Sequence, residues 1–124
     1  MRHALRRRTA IVSMLAAAGS LLAQPALAHH GWSGYDANQT LDLTGTITAA
    51  GYEHPHGFIE LEVPGKKVWF VVLAPPSRME NRGLPKGMLK PGTSATVVGY
   101  PSRNDPREMR AERITIEGKT VELR

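Results

Sequence analysis

Gly57-Phe58-Ile59-Glu60-Leu61-Glu62-Val63-Pro64-Gly65-Lys66-Lys67-Val68-Trp69-Phe70-Val71-Val72-Leu73 is the stretch that decides the fold class of this chain. Ile59, Leu61 and Val63 alternate with Glu60 and Glu62, the period of two that marks a half-buried strand. Pro64-Gly65-Lys66 has turn chemistry, and Val68 to Leu73 is a continuous apolar run that reads as a central strand. Upstream, Thr40 to Thr48 repeats the alternation, with Leu41, Leu43 and Ile47 on one face and Asp42, Thr44, Thr46 and Thr48 on the other. These three segments form a meander.

Downstream, Ala74-Pro75-Pro76 stops the sheet. Ser77 and Glu80 have the spacing of a capping box, which predicts a short helix ending at Gly83. After Pro91-Gly92, Thr93 to Tyr100 reads as a fourth strand and Met109 to Glu117 as a fifth, with Thr120 to Leu123 returning across Glu117-Gly118-Lys119. Three strands, a helix and then two or three strands is the element order of an OB-type barrel. The expectation for residues 40–124 is therefore a mainly all-β domain: a small OB-like barrel of five to six strands, with one short helix between strands 3 and 4. Residues 29–39 are polar and glycine-bearing, and predict an extended N-terminal arm lying over the barrel.

The first 28 residues have the pattern of a cleaved signal peptide. Arg2, Arg6, Arg7 and Arg8 form a basic start, Ala10 to Leu22 is uncharged and largely apolar, and Ala26-Leu27-Ala28 supplies the small residues of a cleavage site. The apolar stretch is shorter than the roughly 20 residues of a membrane-spanning helix, so no membrane span is expected after processing. Four of the sixteen basic residues lie in this leader and none of the eleven acidic ones, leaving twelve against eleven. That near balance argues against nucleic acid as a partner, since phosphate binding needs a basic excess. The chain has no cysteine, which removes disulfides and soft thiolate metal sites from consideration.

Cleavage after Ala28 would make His29 the first residue, placing a free amine and an imidazole on one residue, with His30 beside it. His54 and His56 form a second pair within Glu53-His54-Pro55-His56-Gly57. In an extended segment residues two apart share a side, so both imidazoles can face one ion. Nitrogen donors of this kind suit copper(II) in a tetragonal arrangement and zinc in a tetrahedral one. Asp36 and Glu53 are the nearest carboxylates in sequence, candidates for second-sphere acceptors that orient a ring or for weak ligands. The bland alternative is that the histidines merely cap strand ends.

Trp32 and Tyr35 read as hydrophobic anchors for the arm, and Trp69 as core. Arg78 and Arg82 lie four apart on the predicted helix and read as a solvated face beside Glu80. Arg107, Arg110 and Arg113 alternate with Glu108 and Glu112, which reads as paired surface charge.

His29-His30-Gly31-Trp32 with Tyr35-Asp36, then Leu43-Thr44-Gly45-Thr46-Ile47, His54-Pro55-His56, and Pro91-Gly92 with Val97 resemble an uncharacterised family of exported bacterial proteins, domain of unknown function family 6152. The resemblance covers nearly all of the chain after the leader. It implies a small exported β-domain and no established activity. Many of its members carry Asn where this chain has His54, which implies that His56 is the stronger ligand candidate. By placement alone, the N-terminal histidine is also similar to that of histidine-brace copper proteins.

The resulting expectation is a periplasmic or secreted protein that binds a divalent metal, copper(II) ahead of zinc, for binding, delivery or sequestration. His29 and His56 would be the main ligands, with His30 or His54 as a further donor. The alternative is a metal-free accessory module holding a small molecule, a peptide or an envelope protein. No enzymatic activity is expected; a copper mono-oxygenase is the third reading, for which so small a barrel leaves little substrate surface.

Overall fold

The computed structural model describes residues 31–124, so the predicted leader and His29 and His30 lie outside the described residues. Six strands carry the fold: β1 (Leu41–Gly51), β2 (Phe58–Val63), β3 (Lys67–Val72), β4 (Ser94–Pro101), β5 (Glu108–Ile116) and β6 (Lys119–Glu122). One short α-helix, α1 (Pro76–Asn81), the only one among the described residues, and a 3-10 turn at Lys86–Met88 connect β3 to β4. The sheet order is β3-β2-β1-β4-β5-β6, and a parallel pairing of β3 with β5 closes the first five strands into a barrel. This is an OB-type barrel with β6 added as a sixth strand on β5. Among the described residues no helix is long and apolar enough to cross a membrane.

β1 is long because it serves two neighbours. Leu41 to Thr46 pair with β4 and Thr46 to Gly51 with β2, with a register shift at Thr48. A bulge of this kind sharpens strand twist, which lets one strand turn the corner of a barrel. Gly45 sits in that crowded region, where a Cβ would collide with the carbonyl of Glu62.

The core is built from inward positions: Ile47, Ile59, Leu61, Trp69, Val71, Val97, Met109, Ile114 and Ile116 are all buried, with Met79 of α1 and Leu84 and Leu89 closing one end. Full burial of each large aliphatic side chain contributes about 1.5–3 kcal/mol relative to exposure.

Three sequence expectations need correction. The run Val68 to Leu73 is not central: β3 ends the sheet order and forms the closing seam, and its outward residues Phe70 and Val72 are only partly buried. Its continuous apolar character reflects an outer face that is itself partly covered. The capping box does not form, because α1 starts at Pro76 with Pro75 as its N-cap and no side-chain cap hydrogen bond, leaving Ser77 inside the first turn. Arg78 and Arg82 are not a free solvated face: Arg78 Nη1 donates to the Leu123 carbonyl at 3.1 Å, and Arg82 Nη1 to the carbonyls of Glu122 and Arg124 at 2.8 and 2.9 Å.

Candidate functional site

The start of the described chain is fastened to the barrel. Trp32–Gly34 forms a 3-10 turn, Tyr35 bridges to Ser102, the Asp36 amide donates to the Pro101 carbonyl at 2.9 Å, and the Arg103 amide donates to the Gly34 carbonyl at 2.9 Å. The arm is thus compact around the turn and extended only beside it. Trp32 meets Tyr35 and Tyr100 edge-on, with ring centroids 6.5 and 6.1 Å apart, so the aromatics act as anchors.

Beneath the arm lies Arg110. Met109 and Ala111 on either side of it are core residues, so alternation along β5 turns Arg110 to the outer wall. The arm and the β1–β2 loop cover it there, and only 4% of it is exposed. Its guanidinium carbon lies 4.3 Å from the centre of the Trp32 ring, a cation–π contact that Arg124 repeats at 4.7 Å. Its Nη2 lies 3.3 Å from Nε2 of His56. Arginine can only donate, so Nε2 accepts, and a neutral His56 ring carries its proton on Nδ1. Burial lowers the Arg110 pKa, yet guanidinium remains a cation at neutral pH. Reading Arg110 as paired surface charge is therefore incorrect: it is a buried cation beneath an aromatic ring. Arg113 does pair on the surface, its Nε donating to Glu122 at 3.0 Å.

Of the four sequence-predicted ligands, His29 and His30 lie outside the described residues, and the other two are not equally placed. His56 is half-buried against Arg110, whereas His54 is exposed where the chain bends at His54 and Pro55, across a cis peptide bond. The extended geometry expected to align the two imidazoles is absent at that bend. Glu53 is exposed, and Asp36 is engaged in its own turn, where Oδ1 accepts from the Asn38 amide at 3.0 Å and Oδ2 from Gln39 Nε2 at 2.9 Å. Among the described residues, no group of three or more His, Asp or Glu is arranged to hold a metal ion.

Beside His56 opens a cleft of about 400 Å³ that sequence reasoning missed. Its floor is the outer face of β2 and β3 at Phe58, Phe70 and Val72, and its walls are the β1–β2 loop at Pro55 to Gly57, the arm at Gly34 and Tyr35, Ser102, Asn104 and Asp105 of the β4–β5 connection, and Glu108 of β5. Phe58 and Phe70 stack with centroids 4.9 Å apart. The Tyr35 hydroxyl donates to Oε2 of Glu108 at 3.0 Å. Burial first, and then the Glu108 carboxylate, push the Tyr35 phenol far above the usual tyrosine range. The signal that was available was the unbroken Val68 to Leu73 run, since half of any barrel strand must face outward.

A model of a family of unknown function, DUF6152, matches residues 18–110, most of the chain. The chain belongs to this family. No curated protein matches it. Among solved structures it is similar to a chain in the crystal structure of a complex of TiaS with a transfer RNA and ATP, at 20% identity and a TM-score of 0.49, over 73% of this chain and 20% of that one. The chain thus spans about a fifth of that protein's length. A likeness of that size carries no functional argument.

Proposed function

We propose that this DUF6152 member is an exported, periplasmic or secreted protein that binds a divalent metal, copper(II) in preference to zinc, for delivery or sequestration. The observation that supports this is the path of the arm. Trp32 and His56 contact the same guanidinium, at 4.3 and 3.3 Å, and Trp32 is two residues from His30 and three from His29. At roughly 3.5 Å per extended residue, the chain has the reach to bring the His29 amine and imidazole to His56. His29 and His56 would be the main ligands, with His30 or His54 as a further donor. Bound copper would be held by nitrogen donors alone, and Arg110 would have to release Nε2 of His56 for that atom to coordinate. Because ligand imidazoles must be deprotonated, metal affinity should weaken below about pH 6.

Cu(II) titration followed by EPR, on protein beginning at His29 and on its His56→Ala variant, tests the reading. A tight one-to-one nitrogen-ligated signal that changes without His56 supports a folded site. A signal indifferent to His56 reduces the site to peptide-like chelation. An alanine inserted ahead of His29 should weaken binding.

The cleft supports a second reading, a metal-free binding module that holds a small molecule, peptide or envelope partner on the β2–β3 face. Saturable ligand binding at the cleft by metal-free protein, with no effect of an alanine placed before His29, would favour it.

A further inference from the structure

We propose that the cleft beside His56 binds a small organic cation with an apolar body, an ammonium carried on a ring or short hydrocarbon. The proposal deepens the second reading above and does not require a metal. Register brings the floor together: Phe58 pairs with Val72 across β2 and β3, and Phe70 pairs with Glu108 across the parallel seam of β3 and β5. The stacked Phe58 and Phe70 rings supply apolar area to the floor, and a cation that reached the face of either ring would be attracted to it.

The charged side chains among the described residues that line the cleft are all of one sign. Asp105 and Glu108 line it, and the described residues that line it include no lysine or arginine. The Arg110 guanidinium lies behind His56, against that imidazole and the Trp32 ring. Glu108 is held in place, since its Oε2 accepts from the buried Tyr35 hydroxyl. A carboxylate has about four acceptor sites, so that bond leaves capacity for a ligand. A fixed carboxylate beside an aromatic pair complements an ammonium on an apolar body and opposes an anion. A phosphate-bearing partner such as nucleic acid is disfavoured for the same reason.

The test uses benzyltrimethylammonium chloride, titrated into metal-free protein beginning at His29 and followed by amide NMR shifts around Phe58, Phe70 and Glu108. Benzoate, an anion of related shape, and cellobiose, a neutral sugar, run in parallel. Saturable one-to-one binding of the cation is expected, weakened about tenfold by Glu108→Gln, with benzoate weaker than the cation by at least the same factor. The glutamine keeps an oxygen for Tyr35; should that variant fail to fold, Asp105→Asn replaces it. Equal binding with the charge removed overturns the cation class. Binding of benzoate or cellobiose in its place also overturns that class while leaving a binding module standing. No saturable shift with any of the three removes both.

Discussion

Two regions of this barrel use arginine in opposite ways. Under the arm, Arg110 is buried, its guanidinium against the Trp32 ring and the His56 imidazole. At α1, Arg78 and Arg82 reach across to main-chain carbonyls of residues 122–124, and Arg82 is exposed. The first arrangement joins side chains that have chemistry of their own. The second ties down backbone. Residue type alone does not separate them; what the planar group faces does.

Substitutions should separate the two regions. Arg110→Ala is expected to have the largest effect, about 2–3 kcal/mol in a denaturant titration, because it removes the cation–π contact and leaves a void beneath the arm. Amide exchange at Tyr35 and Asp36 should rise with it. Trp32→Ala should cost about 1–2 kcal/mol and release the same amides while leaving β2 and β3 protected. If those amides stay protected in both variants, the arm is held by its main-chain bonds alone.

Tyr35→Phe tests the arm by pH. The folded-state phenol has its pKa raised, so its contribution is fully present below the ordinary tyrosine value near 10 and is lost as pH rises from there toward the raised value. Alkaline stability profiles of native protein and variant should therefore converge above about pH 10. Absorbance titration should lose its last phenolate step in the variant. Arg78→Ala should cost about 1.5 kcal/mol, the low end for a hydrogen bond from a charged donor. Arg82→Ala, at an exposed position, should stay within about 0.5 kcal/mol. An Arg82→Ala effect as large as that of Arg110→Ala would erase the distinction.

The barrel was legible where alternation is regular. Ile59 and Leu61 point inward as their spacing with Glu60 and Glu62 requires. β5 was harder to read because its periodicity breaks. Gly99 pairs with Ala111 while Val98 pairs with Arg113, so Glu112 is an extra residue, and the bulge lets Met109 and Ala111 face inward together with Ile114 and Ile116. Unbroken alternation would have set those two pairs on opposite faces. Arg110 looked like surface charge because of its Arg/Glu surroundings, and it does face outward; what buries it is the arm and the β1–β2 loop, which come from far along the chain. The histidine pair at residues 54 and 56 was visible as a motif, but its geometry depended on the bend at His54 and Pro55. Of the cleft only the apolar floor strand was visible in the sequence, because its walls come from segments far apart in the chain.

Among the described residues, closing β3 onto β5 leaves β6 as the strand with a neighbour on one side only. An open strand edge is a template for another chain, and proteins protect such edges by keeping them short or covering them. Here β6 spans only Lys119–Glu122, and the carbonyls of Glu122, Leu123 and Arg124 already accept from Arg78 and Arg82. Arg78 and Arg82, whatever their share of thermodynamic stability, are thus expected to oppose edge-to-edge aggregation, a property that concentrated protein would reveal and a dilute melting curve would not.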